Sequence, residues 1–346
     1  MKFEKILRLH SERYPLMQPQ DYTKLAYQSE FGPGHMIEDP KRVLPDLLEE
    51  WKTAAGGFSQ APEYIGNGLC RFHLTNEYDP NEAAPLLAEL FTRTTQKQVG
   101  TQSGLQERLK ALESLRVIGM DEWLSAYQKR GCPSVHHSET FRKAYRPHYR
   151  VIKVDYANYF PALLAVRELM QLGKPILVAI DGRCGSGKSM LAALIAELFS
   201  CNVFHMDDFY LPMEQRSSGW IDIPAGNMDF ERFLREVLLP TLNGSTVRYC
   251  PFDCQAGGYK EAALLFTKPL TIIEGSYSQH PMLSSHYDLR IFLTCSKDEQ
   301  IRRLRTREDT YFTAFQTHWI PMEERYLRAF DIEHGSTVAL DTSDFF

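Results

Sequence analysis

Four residues in the stretch "VAIDGRCGSGKSM" (178–190) have the spacing of a phosphate-wrapping loop. Gly182, Gly187, Lys188 and Ser189 fit G-x-x-x-x-G-K-[ST]. Glycine reaches positive φ without penalty and lets backbone N–H groups close on phosphate oxygens. The helix that follows, "KSMLAALIAELFS", turns its positive N-terminus to the same point. The spacing predicts that Gly182, Arg183, Cys184, Gly185, Ser186, Gly187, Lys188, Ser189 and Met190 form the nucleotide cradle. Lys188 is expected to reach the β- and γ-phosphates of ATP and Ser189 to ligate Mg²⁺. A second chemical signal lies downstream in "HMDDFYLP" (205–212). Two aspartates there follow an apolar strand-length run, the place where ligands bind in open α/β sheets. One carboxylate can accept a proton from an attacking hydroxyl and the other can hold Mg²⁺ or a substrate hydroxyl. Asp also favours turns and helix caps, so a purely local role is the alternative.

The elements that must position these groups are legible from about residue 159 onward. "YFPALLAVRELMQLG" (159–173) reads as a helix ending at Gly173. Six strand-length runs follow: 175–181, 201–207, 246–252, 270–275, 289–294 and 337–341. They are apolar on both faces and separated by helical segments, the pattern of a parallel sheet covered on both sides. Residues 1–155 read differently. Segments 39–51, 81–96 and 103–119 are amphipathic helices, the intervening "EFGPGHM" and "CRFHLTNEYDP" read as loops, and no strand alternation stands out. The expected architecture is a mainly helical N-terminal domain (1–155) followed by an α/β domain (156–346) built on a mostly parallel five-stranded sheet.

The motifs "GRCGSGKS", "HMDDFYLP", "RYCPFDCQ", "TIIEGSY" and "DLRIFLTCSKDEQIRRLRTRE" occur in the order seen in uridine kinase-like P-loop kinases, relatives of phosphoribulokinase. The resemblance covers roughly 174–346. It implies an ATP- and Mg²⁺-dependent transfer of the γ-phosphoryl group to a hydroxyl of a small molecule. By that resemblance Asp207 is the base, Asp208, Tyr210, Phe252 and Asp253 face the acceptor, and Glu274 orients Mg²⁺ or its water. Arg303 and Arg307 match lid-helix arginines. Their i, i+4 spacing independently places them on one helix face. The chain departs from the nucleoside kinases at the acceptor: Asp208 stands where they have Ser, Phe252 where they have Tyr, and no His follows Asp253. The acceptor is therefore open among nucleosides, sugars and vitamin-like compounds. The other class of activity the loop allows is a nucleotide-dependent switch with slow ATPase. No guanine-reading N-K-x-D stretch is present.

Composition bounds the remainder. The 346 residues are 43% hydrophobic and 24% charged with a net charge of -5, a globular balance. No basic block favours a nucleic-acid partner, and no apolar run suits a bilayer. Charges interrupt the apolar runs of the first 17 residues, and the seven cysteines form no even framework. Both features fit a reducing cytoplasm. Cys250 and Cys254 lack the second ligand pair that zinc requires. Oligomeric state is open between monomer and homo-oligomer. The N-terminal half concentrates His35, Arg71, His73, His136, His137 and Arg142 in or beside apparent loops. Ordinary loop histidines, an anion site and a metal site are the three readings. The anion reading predicts that several of His35, Arg71, His73, His136 and Arg142 line one pocket.

Overall fold

The computed structural model describes residues 2–37, 39–54, 61–97, 100–254, 256–307 and 312–345. The chain divides into two compact units, Met1–Phe160 and Pro161–Phe346.

In the first unit the expected helices form at Val43–Thr53, Pro80–Lys97 and Gln102–Glu113, and further helices run Phe3–Arg13, Pro19–Phe31 and Glu139–Tyr145. Their starts are fixed locally. Thr101 Oγ1 accepts from the Gly104 amide, Ser138 Oγ from the Phe141 amide, and Gln18 and Asp21 form a reciprocal capping box. The unit is not only helical. An antiparallel sheet joins β1 (Glu63–Gly66), β2 (Leu69–His73) and β3 (Tyr149–Lys153) in that order. This corrects the reading of "CRFHL" as loop. The β1–β2 connection is Asn67–Gly68, with φ of 50° and 69°, the two-residue turn whose twist matches that of paired strands. Leu7, Leu25, Ile65, Leu105, Leu109 and Val151 are among the fully buried residues of its core.

The second unit is built on a five-stranded sheet of β4 (Ile176–Gly182), β5 (Cys201–His205), β10 (Leu270–Glu274), β11 (Leu289–Thr294) and β12 (Val338–Asp341). The spatial order is β12-β11-β4-β10-β5, and every pairing is parallel. Every residue of β4 and of β10 is buried, as expected of central strands with helices on both faces. The run 246–252 does not join this sheet. It splits into β6 (Val247–Tyr249), paired with β9 (Ala263–Leu265), and β7 (Phe252–Asp253), paired with β8 (Gly258–Tyr259). Pro251 between the two pieces has no amide hydrogen to give to a ladder. No helix among the described residues is long and apolar enough to cross a membrane. All seven cysteines are free.

Candidate active site

Three neighbouring strands deliver the candidate chemistry to one sheet edge. β10 lies between β4 and β5, with Glu274 level with Ile180 on one side and His205 on the other. The glycine-rich loop leaves the C-terminal end of β4, Glu274 ends β10, and Asp207 and Asp208 follow β5 within a short helical turn, Met206–Phe209.

The loop has the backbone its glycines predict. Gly182, Gly185 and Gly187 take φ of 139°, 76° and 98°. A Cβ on Gly182 would lie 1.9 Å from the Leu293 carbonyl oxygen of β11, so no side chain fits there. Asp181, fully buried one residue earlier, ties the strand end to the segment after β10. Its carboxyl accepts from the Gly182, Tyr277 and Gln279 amides and the Tyr326 hydroxyl at 2.7–3.2 Å. Burial pushes this carboxyl up to about 6, against donors that favour its ionised form.

Lys188 Nζ curls over the loop and donates to the Gly182 and Arg183 carbonyls at 2.7 and 3.1 Å. Ser189 Oγ lies 3.3 Å from both oxygens of Glu274. The Ser186 hydroxyl is buried and has no hydrogen-bond partner among the described residues. These groups fit a polyphosphate with a hard divalent cation: positive-φ amides, one ammonium, one orphaned donor, and a hydroxyl–carboxylate pair of oxygen ligands. His205 shares Glu274, with Nδ1 2.5 Å from Oε1. That hydrogen bond raises the His205 pKa.

The other predicted residues separate into groups. Asp207 is exposed and accepts from the Tyr210 hydroxyl at 2.9 Å. Asp208 is anchored: its Oδ2 accepts from Tyr249 at 3.1 Å and its carbonyl from Arg232 Nη2 at 2.8 Å, and burial raises its pKa. Asp207 is thus the freer of the two. Phe252 is buried edge-on to Tyr259, so it packs as a wall, whereas Asp253 is half-buried with Lys260 Nζ 3.7 Å away. Cys184 is held by Gln300, which donates to its carbonyl at 3.0 Å, and Met190 is half-buried. The Arg183 side chain points out of the cradle, with Nε 2.6 Å from Glu324 Oε1 and Nη1 2.6 Å from Thr294 Oγ1. Arg303 also braces the loop: it donates to the Gly185 carbonyl at 3.0 Å and to Thr342 Oγ1 at 2.9 Å, and it pairs with Glu299. Arg307, one turn on, is exposed.

One residue the motifs did not mark is central to the loop. Glu323, in the helix Ile320–Ala329, is 3% exposed and accepts from the Cys184 amide at 2.8 Å and from Ser276 Oγ at 2.5 Å. The signal available was "EE" at 323–324 in an otherwise amphipathic helix, which alone reads as solvated surface.

No protein-family model matches this sequence. It is 29% identical over 174 residues to nicotinamide riboside kinase 2 of Mus musculus, a match covering 48% of this chain and 87% of that protein. Among solved structures it is similar to one titled "Structure of a Possible Uridine Kinase from Bacillus stearothermophilus" (17% identity, TM-score 0.40, 53% of this chain and 99% of that one). It is also similar to the structure of the YGR205w protein (18% identity, TM-score 0.38, 55% of this chain and 94% of that one). With its loop, its five parallel strands and its motif order, the C-terminal half of the chain resembles the uridine kinase-like P-loop kinases.

Proposed function

We propose that the C-terminal unit is an ATP-dependent kinase that transfers the γ-phosphoryl group to a hydroxyl of a small molecule, and that this acceptor is nucleoside-like. The observation that carries the reading is the convergence of the loop, Glu274 and Asp207 from three adjacent strand ends. A nucleotide-binding switch needs the first two, but it does not need an exposed carboxylate at the third. The relationship to a nicotinamide riboside kinase supports a nucleoside acceptor.

In this reading the loop amides, Lys188 and the helix starting at Lys188 hold the phosphates and offset their charge. Ser189 and Glu274 would hold Mg²⁺, which would supply further neutralisation of the phosphate charge. Asp207, aligned by the Tyr210 hydroxyl, receives the proton of the attacking hydroxyl. Asp208, fixed by Tyr249, accepts a hydrogen bond from the acceptor. Arg303 keeps the loop in shape through Gly185, and Arg307, exposed one turn on, is the arginine that approaches the transferred group. Transfer to a hydroxyl in this way converts ATP and an alcohol into ADP and a phosphomonoester.

The test is an ADP-release assay on the full chain with Mg-ATP, run without acceptor and then with nicotinamide riboside, other nucleosides, sugars and vitamin alcohols. The reading predicts that one nucleoside-like acceptor raises the rate well above the acceptor-free value. A slow rate that no acceptor changes favours the switch instead.

A further inference from the structure

The N-terminal unit contains a cavity of about 460 Å³, inside the roughly 300–1,000 Å³ range of small-molecule sites. Arg71 and His73 line it, as the anion reading required, but His35, His136 and Arg142 do not. Arg13, Arg146 and Tyr145 line it instead, together with Glu63 and Tyr149. We propose that this cavity binds a phosphate monoester of a small ring-bearing molecule.

The guanidinium groups of the wall are the first argument. Arg13, Arg71 and Arg146 line the cavity. Arg71 is paired with Glu63 at 3.3 Å, and His148, also in the wall, with Glu50 at 3.1 Å. Guanidinium forks suit the oxygens of a phosphate.

The second argument is that the floor is built. Arg71 is 1% exposed. Its Nε and Nη2 donate to Gln28 Oε1 at 3.2 and 3.0 Å, and Nη1 donates to Glu63 Oε2 at 3.3 Å. The Tyr149 ring lies 4.8 Å from its guanidinium carbon. That ring is held in turn: His137 Nε2 is 2.8 Å from the Tyr149 hydroxyl, and His137 Nδ1 is 2.9 Å from the buried Asp21 carboxylate. Asp21 and His137 are positioning residues for this floor.

The third argument is an unmet polar group. The side chain of His73 is only 9% exposed, and its Nε2 has no hydrogen-bond partner among the described residues. The nearest carboxylate oxygen, on Glu63, is 3.7 Å away. A ligand oxygen in the cavity would satisfy that nitrogen. The Phe141, Tyr14 and Tyr145 rings complete an aromatic wall suited to the flat face of a ring. Arg146 is held at the mouth by a left-handed backbone, φ 44° and ψ 60°, which closes the helix Glu139–Tyr145 through its amide to the Arg142 carbonyl.

Calorimetric titration of the full chain tests the proposal with phenyl phosphate, inorganic phosphate, benzoate and phenol as probes. All titrations use a Lys188→Ala background, so that the P-loop does not report. Arg13→Gln and Arg146→Asn serve as variants because both residues are exposed and Asn tolerates the left-handed backbone. Phenyl phosphate should bind one site, inorganic phosphate should bind more weakly, and phenol should not bind. Benzoate should be at least about tenfold weaker than phenyl phosphate, and each arginine variant about ten- to a hundredfold weaker. The proposal is overturned if phenyl phosphate fails to bind, if benzoate binds as tightly, or if both arginine variants bind like their parent. None of these outcomes depends on whether the C-terminal unit is a kinase.

Discussion

Glu323 offers a direct perturbation of the phosphate loop without touching a loop residue. Its carboxylate receives two hydrogen bonds, from the Cys184 amide and from Ser276 Oγ, and the side chain is almost fully buried. Glu323→Ala leaves the Cys184 amide without a partner and Ser276 Oγ with only the long contact to the Gly182 carbonyl at 3.5 Å. Hydrogen bonds to a charged group contribute roughly 1.5–3 kcal/mol each, so the pair sets a range of about 3–6 kcal/mol. Water entering the vacated space returns part of this, so a loss of about 3 kcal/mol is expected. Glu323→Gln should behave differently. Its amide oxygen can still accept from Cys184, and its NH₂ can donate to Ser276 Oγ, whose own proton then turns to the Gly182 carbonyl 3.5 Å away. Only the charge assistance is lost, a cost of about 1 kcal/mol. Urea denaturation of the two variants, with Mg-ATP titrations beside it, measures both effects. The alanine variant should be the less stable of the two by about 2 kcal/mol and should bind Mg-ATP more weakly. Equal stabilities for Ala and Gln, or Mg-ATP binding that neither variant changes, would refute the role of Glu323 as a loop brace.

Further outcomes follow from other contacts. Asp207→Asn keeps the size of the side chain but cannot take a proton, so acceptor phosphorylation should fall by about 10²–10⁴ while Mg-ATP binding persists; near-normal steady-state turnover moves the base elsewhere. Gly182→Ala forces a methyl to within 1.9 Å of the Leu293 oxygen, so thermal unfolding should show a loss above about 4 kcal/mol or no folded protein, and a mild effect contradicts the β4–β11 packing. Burial holds His73 and His137 down to about 4, below the roughly 6.5 of an unfolded chain. The unfolded state therefore binds more protons between these values, and stability should fall as pH drops through about 6.5 toward 4. Each histidine should cost about 2 kcal/mol at pH 5 by linkage. Urea curves at pH 7 and 5 check this, and a His137→Gln variant with an unchanged pH dependence speaks against it.

What could be read from the sequence divides along the chain. The C-terminal sheet was legible because β4 and β10 are apolar on both faces and bounded by turn residues, and the loop spacing has few other physical uses. The exception was 246–252, where composition suited a strand but Pro251 broke the ladder. The N-terminal sheet was missed although Asn67–Gly68 is a strong local hairpin signal. Its partner strands hide polar residues, Glu63, Arg71 and His73, inside the unit, where Arg71 pairs with Glu63, so alternation is lost. The same long-range pairing explains the site. Arg183 and Arg303 sit at the expected positions in the sequence, but Glu324, Glu299 and Thr342 take up their guanidinium groups. Charge spacing on one helix cannot reveal partners that come from other elements. Glu323 escaped notice for that reason too.

The central claim is that phosphate leaves the loop for a hydroxyl oxygen. Phosphorus-31 NMR of the full chain with Mg-ATP and the acceptor that raises ADP release follows that atom directly. The account predicts a new phosphomonoester resonance growing in step with ADP, absent in Lys188→Ala and strongly slowed in Asp207→Asn. Inorganic phosphate as the sole new phosphorus species beside ADP, formed at the same rate with and without any acceptor, would contradict it.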